Sequence, residues 1–465
     1  MLKVINTRLG VNRGVPRVWL EGQKLNNSFV PGQKLDVHLD PKKKIVKLKV
    51  SESGRFSVSR RTRNGRVVPL IEIKDDELSE LFGDIGVLLR VVVKNGTATI
   101  EVHAIDSKAT ERLLRFKNKV ESGKALTIGS LFSGGGILDG ALHEGLKSSG
   151  LNCYTKFIVE QERKYLDAMV LNQPHLFRDD SILIESSIEY VELRKPPKVD
   201  VVIAGLPCTG ASLAGATKNK LKAAEFHKDA GACFFYTLQF IAQCQPSLII
   251  LENVPLYEKT ASMAVIKSVL ETWGYDIQTA NFNGNFFGCL ENRDRMCVVA
   301  TTKGMPEFKL SSIKPIAIKP DSVSEILEDI PLDAECWRDY QYLIDKQKRD
   351  EANGKGFKRV LIDGTEGHVP TMRRLYHKAG STDAYVLHPD GIRSRLFTAK
   401  EHARLKDVPI ALINGLSNSV AHEVLGQSVC YPVFTALGSA LGTWAKDAAI
   451  WDKVAANDDY ALKVA

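Results

Sequence analysis

The sequence of 465 residues lacks the features that would place it in a membrane or outside the cell. It contains no uninterrupted apolar run of about eighteen residues and no apolar signal region at its N-terminus. Its eight cysteines and ten histidines are scattered, without a Cys-x-x-Cys pair or a ligand-spaced cluster. We therefore expect a protein of the reducing cytoplasm, with no membrane segment, no disulfide framework and no metal.

Length and charge limit the organisation of the chain. At 465 residues it exceeds the size at which single hydrophobic cores stop growing, so two or three domains are expected. Residues 1–120 contain 24 Lys and Arg against 13 Asp and Glu, a net charge of +11, whereas the remaining 345 residues carry −3. The basic front segment predicts a polyanionic partner, because phosphate neutralisation supplies most of the sequence-independent affinity for nucleic acids.

The front segment also contains an internal repeat. Val15-Pro16 and Val68-Pro69 each begin a unit with a Leu nine residues after the Pro, followed by two β-rich runs joined by a turn. Between the end of the first unit at Val50 and the start of the second lie five arginines: Arg55, Arg60, Arg61, Arg63 and Arg66. Two paired units of this kind are similar, in a general way, to swapped-hairpin DNA-binding proteins of the SymE/AbrB type. A small basic β domain that only buries its own hairpins explains the pattern equally well.

After a charged, helical linker at about 106–124, strands and helices alternate. Apolar runs rich in β-branched residues predict strands near 126–132, 154–160, 181–186, 199–205, 247–252, 275–283 and 295–301. Helical patterns separate the first five, which predicts an α/β fold with a mostly parallel sheet. In such sheets ligands bind beyond the carboxyl ends of the strands, so we expect the functional residues there.

Two reactive side chains occur at such strand ends. Pro207-Cys208 lies where the fourth predicted strand breaks into a loop, and Glu252-Asn253-Val254 ends the fifth. A thiolate can add to a ring carbon of a heterocycle while a carboxylic acid protonates the ring nitrogen. A cysteine at a strand end is more commonly a buried small hydrophobe, so the order of motifs along the chain must decide.

A glycine-rich turn follows the first predicted strand. Phe132-Ser133-Gly134-Gly135-Gly136 precedes a helix from about Ile137 to Leu146, and glycines there would let a cofactor approach the backbone and the helix N-terminus. Glu160 ends the next strand, where an acid can accept hydrogen bonds from ribose hydroxyls. The pattern fits any nucleotide-like cofactor, and a tight turn without a ligand remains the alternative.

Further blocks complete a recognisable order. Asn292-Arg293-Asp294-Arg295 precedes the last predicted strand, and Gly426-Gln427-Ser428-Val429 is read as the start of an apolar helix to about Leu441. From about Leu126 to Trp444 the chain resembles the DNA cytosine-5 methyltransferase family. The motifs that carry the resemblance also include Glu160-Gln161-Glu162, Gly231-Ala232-Cys233-Phe234-Phe235, and Arg395-Leu396-Phe397-Thr398 with Glu401, Ala403, Arg404 and Leu405.

The resemblance implies a role for each matching residue. As catalytic residues it gives Cys208, Glu252, Arg293 and Arg295. As contacts of S-adenosylmethionine it gives Phe132, Ser133, Gly134, Gly136, Glu160, Gln161, Pro207, Ser428 and Val429. For DNA we expect contacts from Ser212 and from Arg373, Arg374 and Tyr376, because arginine and aromatic side chains suit base edges and stacking.

The chain departs from the family pattern at several positions. Thr209 stands in place of Gln, Ala211 in place of an aromatic residue, Glu291 and Gln427 in place of Gln and Asn, and Ser187 in place of the Asp that would contact adenine. None of these changes removes the nucleophile, the acid or either arginine. They put cofactor affinity and loop behaviour in question more than the type of reaction.

The resemblance predicts a Rossmann-like methyltransferase fold with a small target recognition domain and an added basic β-rich domain. We expect boundaries at 1–105, 106–124, 125–302, 303–392 and 393–465, the last returning to the catalytic domain. The expected reaction is methylation of carbon 5 of a flipped cytosine in double-stranded DNA by a monomer. Two alternatives stay open: an RNA cytosine-5 methyltransferase, as one branch of the family acts on transfer RNA, and a catalytically silent DNA-binding regulator.

Overall fold

The computed structural model describes residues 1–192, 196–208, 225, 227, 231–447 and 451. Ser212, Thr209 and Ala211 lie outside the described residues. Within these ranges no single helix is long and apolar enough to cross a membrane, although the bent pair Asn418–Gln427 and Tyr431–Lys446 passes the same test by length and composition. The same ranges contain no group of three His, Cys, Asp or Glu side chains that could hold a metal ion.

The N-terminal region is rich in β-structure and has its own hydrophobic core. Its strands are β1 Lys3–Arg8, β2 Gly10–Asn12, β3 Val15–Glu21, β4 Lys34–Asp40, β5 Ile45–Val50, β6 Phe56–Ser57, β7 Ser59–Arg63, β8 Arg66–Lys74, β9 Leu88–Lys94 and β10 Thr97–Val102, with helix α1 Glu77–Phe82 between β8 and β9. They form one sheet of order β1-β9-β10-β5-β4-β6 and a second of order β2-β3-β8-β7.

The sequence repeat corresponds to a structural repeat. Each unit consists of a strand, a short helix and a hairpin: β3, a 3₁₀ turn and β4–β5 in the first, and β8, α1 and β9–β10 in the second. Trp19 of β3 pairs with Glu72 of β8, and each lies four residues after the Val that begins its unit. The hairpins also pair with each other, β5 against β10. An approximate two-fold axis therefore relates the units, whereas the likeness to swapped-hairpin proteins stays a prediction.

Residues 104–302 form the α/β layer structure. Helix α2 Ala104–Glu121 is followed by β11 Leu126–Leu131, α3 Ile137–Ser148, β12 Cys153–Glu160, α4 Arg163–Asn172, β13 Ile182–Glu185, β14 Val201–Gly205, α5 Cys233–Cys244, β15 Leu248–Asn253, α6 Ala261–Thr272, β16 Tyr275–Asn283, β17 Glu291–Asn292 and β18 Asp294–Thr302. The sheet order is β13-β12-β11-β14-β15-β18-β16; β18 runs in the direction opposite to β15 and β16, and all other neighbouring pairs are parallel. The predicted mostly parallel sheet is confirmed.

The remaining chain adds a small, mostly irregular part and then returns to the sheet. Its elements are α7 Gln341–Ala352, β19 Val360–Ile362, β20 Val369–Pro370, β21 Ala384–Leu387, β22 Ser394–Arg395, α8 Ala399–Leu405, α9 Asn418–Gln427 and α10 Tyr431–Lys446. Helix α10 packs closely on α3, since a Cβ on Gly145 would lie 2.2 Å from the carbonyl oxygen of Thr435. The expectation that Gly426 opens the last helix is wrong. Gly426 and Gln427 end α9, because α10 begins only at Tyr431.

Helix α2 is part of the α/β core rather than a free linker. The side chain of Arg112 is buried, and it donates to Thr302 Oγ1 at 3.2 Å, Gln245 Oε1 at 2.9 Å and the Trp273 carbonyl oxygen at 2.7 Å. Its guanidinium also lies 4.2 Å from the ring centroid of Tyr275. The charge is thus held by neutral acceptors and an aromatic face, which fixes α2 against the sheet.

A second contact of α2 shows which edge of the sheet it occupies. Asp200, whose side chain is fully buried, directly precedes β14 and accepts from Arg115 Nε at 3.2 Å and Lys119 Nζ at 2.5 Å. The Ser247 hydroxyl, directly before β15, donates to the Arg112 carbonyl oxygen at 2.8 Å. Helix α2 therefore binds the amino ends of the parallel strands, opposite the edge where ligands are expected.

Replacement of Arg112 should test this attachment. Arg112→Met would leave buried carbonyl acceptors without a donor, so we expect the free energy of unfolding to fall by roughly 3 kcal/mol, measured by denaturant titration. Lys108→Met, an exposed position one turn earlier on α2, is the matched control and should change stability by less than about 0.5 kcal/mol. Equal losses in both variants would contradict the anchoring role.

Candidate active site

Cys208 and Glu252 lie at the carboxyl ends of adjacent parallel strands. Gly205, the last residue of β14, pairs with Glu252 of β15, and Cys208 follows three residues later. The Leu206 N–H donates to the Glu252 carbonyl oxygen at 3.2 Å, and Asn253 Nδ2 donates to the Leu206 carbonyl oxygen at 3.2 Å. These bonds join the segment before Cys208 to the end of β15. The Cys208 thiol and the Glu252 carboxyl group therefore lie at the same edge of the sheet.

Arg295 completes this group. Its Nε lies 2.8 Å from Glu252 Oε1, and both side chains are largely buried. The antiparallel pairing of β15 with β18 produces the contact, because Asn253 stands opposite Met296 and so brings Arg295 to the end of β15. The structure thus brings together three of the four predicted catalytic side chains.

The environment shifts the pKa values of both reactive groups. Burial raises the pKa of Glu252, and the positive charge of Arg295 partly opposes the rise. Burial also raises the pKa of the Cys208 thiol; Arg295 opposes this rise, whereas Glu252 adds to it. The neutral forms are therefore favoured relative to the free side chains, which suits Glu252 to donate a proton and requires that Cys208 be deprotonated during the reaction.

The glycine-rich turn after β11 forms a cradle at the same edge. Phe132 has a positive φ of 57°, and Gly134 and Gly136 have φ of 54° and 76°. The Gly134 N–H donates to Glu160 Oε2 at 2.8 Å, and the Glu162 N–H donates to Glu160 Oε1 at 2.8 Å. Glu160 therefore holds the turn in shape, and each of its oxygens keeps a second lone pair for a ligand hydroxyl.

Polar atoms around this turn lack partners. Among the described residues, Ser133 Oγ and Gln427 Nε2 are buried without a hydrogen bond. Gln427 approaches the turn so closely that a Cβ on Gly134 would lie 3.0 Å from its Nε2. Buried polar groups normally find partners, so these two atoms fit a polar ligand seated on the turn. The donor set fits the ribose and amino-acid parts of S-adenosylmethionine.

The other predicted cofactor residues differ in what they offer. Gln161 is exposed, and its Oε1 accepts from the Ser187 hydroxyl at 3.1 Å. Pro207 is half-buried beside Cys208. The side chain of Val429 lies in the hydrophobic core, so it can contribute only backbone atoms. Ser428 is occupied within the protein, because its hydroxyl donates to the Leu425 carbonyl oxygen at 2.8 Å.

The Arg293 side chain is buried, and its charge acts on both Cys208 and Glu252. Its Nη1 lies 3.1 Å from Glu291 Oε1 and 3.2 Å from the Met372 carbonyl oxygen, and its Nη2 donates to the Gly426 carbonyl oxygen at 3.1 Å. Both terminal nitrogens bind protein groups, so direct action of Arg293 in catalysis stays a prediction. Its bonds also fix the segment that carries Arg295.

Lys406 was not predicted from the sequence. It is fully buried, and its Nζ donates to the Leu425 and Ser428 carbonyl oxygens and lies 3.8 Å from Glu291 Oε2. Burial is the main reason why the pKa of Lys406 is lowered to about 7. The positive charge of Arg293 lowers this pKa further, whereas the negative charge of Glu291 opposes the change. The signal in the sequence was Glu291 itself, because a buried carboxylate in place of a neutral Gln requires a compensating cation.

The predicted DNA contacts are only partly available. Tyr376 is fully buried; its hydroxyl donates to the Ala384 carbonyl oxygen at 2.6 Å and accepts from the Phe397 N–H at 2.9 Å. The prediction that Tyr376 stacks on a base is therefore wrong, because Tyr376 belongs to the buried apolar core of the segment between β18 and α8. Arg373 binds Asp383 through two bonds of 2.6 and 2.8 Å, which uses its guanidinium. Arg374 is about half exposed and stays a candidate, its guanidinium 3.7 Å from Glu423.

Solved structures with a similar fold define the class. Dnmt2 methyltransferase from S. pombe aligns with a TM-score of 0.54 and 18% identity, covering 68% of this chain and 98% of that one. The methyltransferase EhMeth of Entamoeba histolytica aligns with a TM-score of 0.51 and 19% identity, with the same coverage of both chains. The fold is that of a methyltransferase.

The family follows from the sequence comparison. The model of the C-5 cytosine-specific DNA methylase family matches residues 126–443, so the chain belongs to this family and is a DNA cytosine-5 methyltransferase. Type II methyltransferase M.NlaX of Neisseria lactamica is 28% identical over 253 residues, 53% of this chain and 76% of the relative. Type II methyltransferase M.Bsp6I of Bacillus sp. (strain RFL6) is 31% identical over 264 residues, 54% and 81% respectively.

The buried pair of Glu291 and Lys406 can be tested by a double-mutant cycle. Lys406→Met should lower the free energy of unfolding by roughly 3 kcal/mol, because it leaves Glu291 with less compensation and two carbonyl groups without a donor. Glu291→Gln in the same chain should recover at least 1 kcal/mol of that loss, since a neutral amide no longer needs the ammonium group. Lys400→Met, an exposed position on α8, is the control. Additive losses in the double variant would show that the two side chains are not coupled.

Proposed function

We propose that this enzyme transfers a methyl group from S-adenosylmethionine to carbon 5 of a cytosine within a specific double-stranded DNA sequence, through a covalent adduct with Cys208. The observation that carries the proposal is the placement of Cys208 beside Glu252 and Arg295 at one edge of the sheet, next to the cradle of Phe132–Gly136. The family membership of residues 126–443 supports cytosine as the target base and DNA as the substrate.

Cys208 and Glu252 have separate chemical roles in the proposed reaction. The Cys208 thiolate adds to carbon 6 of the cytosine, while Glu252 donates a proton to ring nitrogen 3, so that the electron pair of the broken 5,6 double bond becomes available at carbon 5. S-adenosylmethionine supplies the methyl group as an electrophile that carbon 5 attacks. Loss of the proton from carbon 5 to a base then expels Cys208 as a thiolate and restores the 5,6 double bond, while ring nitrogen 3 returns its proton to the Glu252 carboxylate.

Arg295 holds the acid in place and gives the site its polarity. Its guanidinium keeps Glu252 directed into the cleft, and its remaining N–H groups can donate to the cytosine carbonyl oxygen. Because the thiol must reach the face of the ring, the cytosine has to leave the helical stack before attack. Glu160, the turn it holds, and the free Ser133 Oγ and Gln427 Nε2 supply the polar groups for the cofactor.

Replacement of the nucleophile tests the proposed function. Cys208→Ser should abolish methylation, because a hydroxyl group is a far poorer nucleophile at neutral pH, while binding of S-adenosylmethionine measured by calorimetry stays within about twofold. Bisulfite sequencing of DNA from expressing cells gives the activity and the target context together. Cys336→Ser, at an exposed position between β18 and α7, is the matched control and should retain wild-type methylation. Normal turnover by Cys208→Ala would exclude the covalent route.

The pH dependence of Cys208 alkylation tests the charges that surround it. Glu252→Gln removes the negative charge that helps to raise the pKa of Cys208, so the alkylation profile should move to lower pH. Arg295→Gln removes the positive charge that lowers this pKa, so the profile should move to higher pH. Iodoacetamide labelling followed by mass spectrometry of the Cys208 peptide gives both profiles, with the exposed Glu271→Gln as the control. Shifts in the same direction in both variants would contradict the arrangement.

A further inference from the structure

The outer face of the four-stranded N-terminal sheet carries a cluster of arginines around a tryptophan. Arg61 of β7 stands opposite Val68 of β8, and Arg63 stands opposite Arg66, so these side chains point to one side. The guanidinium groups of Arg17 and Arg61 lie 4.8 and 5.5 Å from the ring centroid of Trp19. We call this surface the arginine face; it consists of Arg17, Trp19, Arg61, Arg63 and Arg66.

Acidic residues offset only part of the charge of the arginine face. Glu21 accepts from both Arg61 at 2.6 Å and Arg63 at 3.1 Å, so one carboxylate serves two guanidinium groups. All five residues of β7 are exposed, and the side chains of Arg61 and Arg63 retain 50% and 66% of their accessible surface. A cluster of exposed arginines beside an aromatic ring is suited to an anionic polymer with stackable or phosphate groups.

The shape of the region favours a duplex as that polymer. Two hairpins with two-residue turns, β2–β3 at Arg13-Gly14 and β7–β8 at Asn64-Gly65, flank the face, and all four turn residues have positive φ. The two hairpins lie on opposite sides of the β3–β8 pair, and their turns are displaced by two residues from exact equivalence, so the two-fold relation between them is approximate. A two-stranded ribbon fits the major groove of DNA, and a pair related by two-fold symmetry matches the symmetry of the duplex backbone.

The N-terminal region is attached to the α/β sheet at the edge opposite the catalytic cleft. Strand β10 ends at Val102 and α2 begins at Ala104, and the Leu88 N–H donates to Asp106 Oδ2 at 2.6 Å, so no flexible segment intervenes. Helix α2 binds the amino ends of the parallel strands, whereas Cys208 and Glu252 lie at their carboxyl ends. Strands of five or six residues put about 17–20 Å between these edges.

We propose that the arginine face is a second binding site for duplex DNA, separate from the cleft that contains Cys208, so that one molecule holds two DNA segments. This site goes beyond the proposed methyl transfer and does not depend on it. Binding through phosphates makes the affinity of the site strongly dependent on salt, with each neutralised phosphate contributing about 0.9 to the slope of log affinity against log salt.

The first experiment removes charge from the face in the full-length chain. The variant Arg61→Gln, Arg63→Gln, Arg66→Gln should bind a labelled 30-base-pair duplex without cytosine at least tenfold more weakly by fluorescence anisotropy, with a salt slope lower by about 2–3. The matched control, Lys42→Gln, Lys43→Gln, Lys44→Gln, removes the same charge from the exposed turn between β4 and β5 and should change affinity less than twofold. Equal losses in both variants, or none in the arginine variant, would overturn the proposal.

The second experiment asks whether the two sites are distinct. Wild-type enzyme trapped on a duplex that contains 5-fluorocytosine should still bind one labelled cytosine-free duplex, and the trapped arginine variant should not. Loss of the second duplex from trapped wild-type enzyme would show that the face contacts the DNA already in the cleft. Tighter binding of single-stranded RNA than of the duplex would exclude duplex DNA as the ligand. Failure of trapping alone would count against the role of Cys208 and not against this site, because the anisotropy measurement is independent of it.

Discussion

A buried cluster of charges, Glu291 with Arg293 and Lys406, is the constraint on which the catalytic edge depends. Buried charges are stable only when opposite charges and hydrogen bonds from the backbone compensate for the lost hydration. The three side chains therefore fix each chain segment that supplies one of these partners. Through Arg293 the cluster holds the carbonyl groups of Met372 and Gly426, and through Lys406 those of Leu425 and Ser428. Strand β18, the segment that follows β20 and the end of α9 are thereby joined at one point.

The cleft takes its geometry from this junction. Arg295 follows Arg293 by two residues, so fixing the first arginine directs the second toward Glu252 at the end of β15. The end of α9 is held by the same cluster, and it carries Gln427 to the glycine turn, where its Nε2 lacks a partner among the described residues. The acid that would serve the cytosine and an amide that would serve the cofactor are therefore positioned by one set of buried bonds.

The sequence predicted what depends on local pattern. Strands buried on both faces read as continuous apolar runs, so β14 and β15, and with them Cys208 and Glu252, were found at the right edge. Tyr376 was misassigned because an aromatic residue beside arginines has the same local pattern in a binding surface as in a core. Only the fold shows that Ala384 and Phe397 take both of its hydrogen-bond positions. The role of Lys406 was not predicted for a similar reason, because its partners are distant in the chain.

The charged segment after β10 shows how misleading composition can be about a linker. Residues 106–124 look solvated in sequence, yet Arg112 and Phe116 of α2 are buried, and Asp200 holds the next two basic side chains of the same face. Helix α2 begins two residues after β10 of the N-terminal sheet, and buried charges bind it to the α/β sheet. It therefore connects the two sheets without a flexible segment. Helix α2 thus joins the N-terminal β-structure to the edge of the α/β sheet that lies opposite Cys208 and Glu252.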